Sequence, residues 1–272
     1  MKYQVIHTTE YDYTTPAALS LNEVCLSPRP TPFQKIHNHT YETEPKDDYH
    51  RDRVDFFGNL WRLYAFEKPH HRLQITSHQW VEVNRGKLGD GVLAGWEPFL
   101  QPSPFVRWDE EFVDYGRRSF PGGRNTVDGL IDLTNRLFHD FSYDPKATQI
   151  GTPVGEFFTL RRGVCQDFSH LMAAVLRGLG IPARYVSGYL NTAPPAGKKK
   201  VFGADASHAW VSAYVAPHGW IDFDPTNGVV VSDGHITLAW GRDYGDVTPL
   251  KGVVLGGGTQ QLKVEVTVLA EG

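Results

Sequence analysis

Cys165 stands in the run GVCQDF, where a stretch of helical apolar periodicity begins. A thiol in the first turn of a helix faces backbone N–H groups without intrahelical partners and the positive end of the helix dipole. Both favour thiolate over thiol. The same N–H groups can hold an oxygen that turns negative when sulfur adds to a carbonyl. His208 opens the run HAWVSAYV. Period-two alternation puts His208, Trp210, Ser212 and Tyr214 on one strand face and Ala209, Val211, Ala213 and Val215 on the other. Asp222 and Asp224 share a face of the following strand, WIDFDPTN, which a Pro217-His218-Gly219 turn joins to the first. A carboxylate on that hairpin can fix the tautomer and orientation of the imidazole. Alternation alone does not choose between Asp222 and Asp224. Taken singly, each residue has an ordinary explanation: a small buried hydrophobe, a packing histidine, a solvated strand-end carboxylate. Taken together, in that order and on those elements, they fit a thiol acyl-transfer triad.

The elements that must position them are legible around them. Val127, Leu130, Ile131, Leu133, Leu137, Phe138 and Phe141 give one helical stripe, with Asn125 or Thr126 available as N-cap. Phe168, Leu171, Met172, Val175, Leu176 and Leu179 give a second, which ends at Gly180 before Ile181-Pro182. Strands are expected over residues 183–190, 208–215 and 220–224, with two more in the tail over 229–238 and 262–268. Residues 1–84 read as strands without a helix of three turns, which predicts a β-sandwich. Residues 85–124 are rich in glycine and proline and read as a connector. Trp96, Phe99, Phe105 and Trp108 can pack it down. The expected organisation is therefore α+β, with a β-rich unit (1–84), a connector (85–124) and a catalytic core (125–272).

At this point the chain resembles a known family. RRGVCQDFSHLMAAVLRGLGIPARYVSGYL followed by SHAWVSAYVAPHGWIDFDPTN closely resembles the transglutaminase-like superfamily, whose bacterial members are often described as candidate cysteine proteases. NEVCLSPRP and DFFGN resemble the β domain that accompanies the bacterial core, and GRDYGDVTPLKGV resembles the family's ending. The resemblance implies a papain-like core with helices packed on an antiparallel sheet. It also implies Cys165 as nucleophile, His208 as general base and acid, and Asp224, the aspartate of the DPT block, as orienter. The roles of Arg242, Asp243 and Tyr244 in the tail do not follow from it.

The expected reaction is attack of the Cys165 thiolate on a carboxamide, protonation of the leaving amine by His208, and release of the thioester by water or a second amine. Hydrolysis of peptide or isopeptide bonds is the first expectation, with a peptide or protein as substrate. The alternatives are a transglutaminase-type acyltransferase that cross-links glutamine side chains and a non-catalytic protein-binding module with an idle triad. Gln166, Trp210 and Tyr189 are candidate substrate-binding residues. Asp167 reads as an ordinary first-turn partner of the helix dipole. The lysines 198–200 read as solvated charge, or as a flap carrying selectivity.

Composition excludes several other classes. The 272 residues carry 27 basic and 31 acidic side chains, for a net charge of −4, so no broad attraction to nucleic acid or anionic membrane is expected. Two cysteines exclude a disulfide scaffold. His37, His39, His70 and His71 lack companion ligands at recognised spacings, and no Asp-rich calcium loop of the EF-hand type is present, so neither metal nor cofactor is expected. The amino terminus has no apolar core of a signal peptide, and no apolar stretch approaches the ~20 residues of a spanning helix. A cytoplasmic placement follows. Substrate identity, acyl acceptor and oligomeric state are not written in the sequence.

Overall fold

The computed structural model describes residues 1–192 and 206–271; the lysine run 198–200 lies outside them. The first half is built from β1 (Lys2–Val24), β2 (Gln34–Glu44), β3 (Tyr49–Val54), β4 (Leu60–Phe66) and β5 (His70–Val83). Along β1, Tyr3, Val5 and His7 are buried while the residues between them are half-buried, as alternation requires. β1 does double duty. Its first half pairs with β5, and its second half with β4 after a register shift between Asp12 and Ala17. The result is one antiparallel sheet bent on itself, rather than two separate sheets, and both halves feed one core through Val5, Leu73, Ile75, Trp61 and Phe66.

The second half contains α1 (Glu110–Arg117), α2 (Thr126–Asp140), β6 (Ser142–Tyr143), α3 (Val154–Leu160), β7 (Arg162–Gly163) and α4 (Cys165–Gly178). It continues with β8 (Ala183–Leu190), β9 (Ser207–Val215), β10 (Gly219–Asp224), β11 (Val229–Val230) and β12 (His235–Gly241). The tail forms β13 (Leu250–Gly256) and β14 (Gln260–Glu271). The five-stranded antiparallel sheet runs β11-β10-β9-β8-β12. Leu171, Met172 and Val175 of α4 pack with Val211, Ala213, Ile221 and Phe223 of that sheet, and α1 to α3 surround α4. The Asn125 side chain caps α2 by accepting the Val127 N–H at 2.8 Å.

Two features differ from the reading of the sequence. The connector carries α1, which Asp109 caps by accepting the Phe112 N–H. The strand expected over 229–238 is split into β11 and β12 at opposite edges of the second sheet, and the chain beyond β12 does not join that sheet. β13 and β14 both pair with β1, where Val266 and Val268 sit opposite His7 and Val5 and complete the core of the first half. The connector aromatics pack as expected: Phe99 against Trp220, Trp96 against Tyr214 and Phe105 against His170.

The halves are joined at the edge strand β12. A strand edge presents unpaired backbone groups that must find partners when buried. Gln34 donates to the Thr237 carbonyl at 2.7 Å and accepts the Thr237 N–H at 2.8 Å. Asn59 does the same for Trp240, at 2.8 and 3.1 Å. Two side-chain amides thus stand in for a missing strand. Replacing Gln34 by Leu leaves the buried Thr237 N–H without its acceptor, while the Thr237 carbonyl keeps the Arg29 N–H at 3.3 Å. A loss of about 1–3 kcal/mol is expected, read as a lower denaturant midpoint at unchanged slope.

Candidate active site

The chain is steered into Cys165 by a tight approach. Arg161 closes α3 in the left-handed region (φ 57°), and its guanidinium lies over the rings of Phe158 at 4.1 Å and Phe141 at 4.5 Å. Gly163 then passes so close that a Cβ there would fall 2.5 Å from the Asp167 carboxylate and 2.8 Å from the Phe157 ring. Asp167, at the third position of α4, reaches back to accept the Val164 N–H at 2.8 Å and the Thr148 hydroxyl at 2.6 Å. This is the helix-start role expected of it, and burial pushes its carboxyl above the usual range. Cys165 is the first residue of α4 and is partly exposed; its own N–H has no intrahelical acceptor. Gln166, beside it, is buried.

β9 and β10 bring the other two groups. His208 Nε2 lies 2.7 Å from Asp224 Oδ2, and the Cys165 thiol is the ring's other electrostatic partner. Asp222 points along the same face but belongs to another cluster, 2.9 Å from Arg85 and beside Arg184, so the structure makes the choice that alternation left open. Asp224 is fully buried. Its Oδ1 accepts the Thr226 and Asn227 N–H groups at 3.0 and 3.2 Å. Its Oδ2 accepts, besides His208, the Asn227 amide at 2.7 Å and His235 Nε2 at 3.1 Å. Burial opposes the charge on Asp224, but these donors, His208 and His235 foremost, hold its carboxyl well below the usual range. Burial also opposes charge on His208. The hydrogen bonds to Asp224 and to Cys165, with Coulomb attraction to both, outweigh it and push the imidazole up to about 10.

The structure brings the expected Cys165, His208 and Asp224 together, and adds to them His235 and Asn227, which the sequence did not mark. Asn227 follows the DPT block closely enough to have been considered; nothing local marks His235, which arrives from β12. Two expected groove residues are elsewhere. Tyr189 is fully buried between the halves of the molecule, its hydroxyl bonded to His7 at 2.9 Å and Gln79 at 3.3 Å. Trp210 is also fully buried, with Val186 and Val231, and its ring lies 6.2 Å from that of His208 and 5.3 Å from that of His235. Neither ring can wall a substrate groove, because both β-sheet faces are covered.

The tail residues without an assigned role brace α4, the helix that carries Cys165. The Tyr244 N–H donates to His170 of α4 at 3.1 Å, and Asp243 accepts the Phe105 N–H at 3.0 Å and the Gly245 N–H at 2.9 Å. Arg177, also on α4, donates to the carbonyls of Arg242 and Ala183. A cavity of about 490 Å³ lined by Phe57, Trp61, Arg242 and Lys251 lies beyond this brace and contains none of the triad.

His208, Asp224 and His235 place two ring nitrogens and a carboxylate oxygen within 4.8 Å of one another, the donor set of many metal centres. Here both nitrogens spend their protons on the same carboxylate at hydrogen-bond lengths. The set is therefore a hydrogen-bonded cluster centred on one carboxylate oxygen.

Helix-start thiol, strand-borne imidazole and hairpin carboxylate on an α+β core define the papain-like class of thiol site. Residues 115–225 match the transglutaminase-like superfamily and residues 3–82 the bacterial transglutaminase-like N-terminal region. The chain is 35% identical over 277 residues to an uncharacterised protein of Mycobacterium tuberculosis, covering 93% of this chain and 87% of that one. It is 33% identical to one of Mycobacterium leprae, with 99% of each covered. It therefore belongs to the transglutaminase-like superfamily. A protein-glutamine gamma-glutamyltransferase of Pseudomonas aeruginosa is 36% identical over 155 residues, 49% of this chain and 22% of that enzyme. Among solved structures, a candidate cysteine protease from Cytophaga hutchinsonii superposes with a TM-score of 0.78 at 22% identity, covering 100% of this chain and 92% of that one, a likeness of fold.

The two thiols serve as each other's control. Cys25 is 2% exposed, and burial foremost pushes it up to about 12. Iodoacetamide near neutral pH is expected to label Cys165 at least a hundredfold faster than Cys25, measured by peptide mass spectrometry.

Proposed function

We propose that the protein transfers acyl groups from carboxamides through a thioester on Cys165. The observation that carries this reading is the position of the His208 ring, bridged between an ionised, buried carboxylate and the thiol. Cys165 thiolate adds to the carbonyl carbon, and the oxyanion is met by N–H groups at the start of α4. As the C–N bond breaks, the His208 imidazolium gives its proton to the departing amine, leaving a thioester and a neutral imidazole. His208 then takes a proton from the incoming water or amine, whose oxygen or nitrogen attacks the thioester. Collapse of the second adduct expels thiolate and restores the ion pair.

With water as acceptor the outcome is peptide or isopeptide hydrolysis, the reading put first. Transfer to an amine is the second reading, and the similarity to the Pseudomonas aeruginosa glutamyltransferase across half the chain favours it. The acyl donor in either case is a polypeptide. Both cysteines are free, which suits a reducing cytoplasm; among the described residues no helix is long and apolar enough to cross a membrane.

A glutamine-containing protein substrate supplied with a labelled primary amine separates the readings. Label incorporated into protein marks transfer; free ammonia or new peptide termini mark hydrolysis. Cys165→Ala is expected to abolish both, and survival of turnover in that variant contradicts the proposal.

The pH profile carries a second test. A raised imidazole pKa means the imidazolium is present at neutral pH and is lost as pH climbs through about 10. Asp224→Asn removes its principal charge partner, so the alkaline limb of kcat/KM is expected to move acidward, toward the ordinary histidine value of ~6.5, with kcat lowered at least a hundredfold. An unmoved limb removes His208 from the acid role.

A further inference from the structure

We infer that His235 is a positioning residue that restrains the basicity of His208, so that its imidazolium releases a proton readily to the departing amine. The inference rests on the acyl-transfer reading above and adds to it a residue outside the triad.

The geometry has three parts. First, His235 and His208 share one oxygen: both Nε2 atoms meet Asp224 Oδ2, at 3.1 and 2.7 Å. Second, the tautomer of His235 is set from its far side. Its Nδ1 accepts the Ser232 N–H at 3.4 Å, so its proton sits on Nε2 and points at Asp224. The ring is 3% exposed and stands edge-on to Trp210, which keeps that aim. Third, His235 is not needed to orient Asp224. The backbone N–H groups of Thr226 and Asn227 hold Oδ1, and the Asn227 amide holds Oδ2.

What His235 adds is electrostatic. Its N–H draws density from the oxygen that holds the His208 proton. The positive end of that N–H dipole also lies toward the imidazolium, with the ring centroids 6.1 Å apart. Both effects lower the proton affinity of His208. The groups that face the ring are Asp224 from β10, Cys165 from α4, His235 from β12, the neutral Asn227 amide at 3.4 Å and the Trp210 ring; Asp224 and Cys165 strengthen its hold on the proton, and we assign the opposing effect to His235. A general acid works best when its proton is not held far more tightly than the working pH demands. In the adduct, where sulfur is bonded to carbon and Asp224 is the anionic side chain left on the ring, a carboxylate without this donor would hold the proton more tightly against the amine leaving group.

The consequence depends on the leaving group. Amides need the proton in order to expel nitrogen; activated esters do not. The test compares wild type with His235→Leu and His235→Gln on γ-glutamyl p-nitroanilide and p-nitrophenyl acetate, with NMR titration of the His208 ring alongside. His235→Leu is expected to titrate His208 at higher pH and to lower kcat on the anilide about tenfold, with KM and ester acylation unchanged. Glutamine keeps an N–H donor, and His235→Gln is expected to recover most of the anilide activity. A downward or absent shift of His208, or equal losses on anilide and ester, overturns the inference. Should His235→Leu not fold, His235→Phe supplies a ring without the donor and is read in the same way. A wild type that turns over neither probe counts against the acyl-transfer reading, and the titration still decides for or against His235.

Discussion

Asp224 carries a full charge with no access to solvent, a condition that normally drives a carboxyl to take up a proton. It remains ionised because His208, His235, Asn227 and the backbone of Thr226 all donate to it. Everything at the site follows from that stabilised anion. It raises the imidazole and aims one ring nitrogen at sulfur. It also gives β10, the DPT turn and β12 a common point of attachment. Removing one donor from such a cluster costs more than the bond itself, because the charge stays behind.

The same anion ties the site to the rest of the fold. His235 begins β12, the edge strand whose backbone Gln34 and Asn59 complete from the β-rich half. The tail returns to β1 only after passing through the brace that holds His170 and Arg177 on α4. The β-rich half is thus mechanically continuous with both sides of the triad: with β12 behind the carboxylate, and through the tail with the helix that carries the thiol. Cys165 and Tyr244 both pack against the core that the two halves share.

Where local pattern determines structure, the sequence could be read. Helical spacing after Cys165, small apolar residues alternating from Ala209, and a short turn at Pro217 placed the thiol, the imidazole and a carboxylate on the elements where the structure has them. Alternation has a period of two, so it could not separate Asp222 from Asp224; the DPT resemblance points to Asp224, and the Arg85 and Arg184 cluster that claims Asp222 is built from residues distant in the chain. Tyr189 and Trp210 were expected at a groove because an aromatic on a strand shows the same pattern whether its face meets solvent or another layer. His235 was invisible for a like reason: its partner sits on β10, with β9 and β8 between. β1 changes sheet partners midway, and the tail strands chose β1 over the nearer sheet, both results of long-range pairing that no window of sequence contains.

The most direct measurement is the far-ultraviolet thiolate absorbance of the folded protein, taken as the difference between wild type and Cys165→Ala at neutral pH. An ion pair between sulfur and imidazole predicts a thiolate band under those conditions, and predicts that His208→Ala removes it. A band that emerges only where ordinary thiols ionise, or one that persists undiminished without the imidazole, contradicts the account.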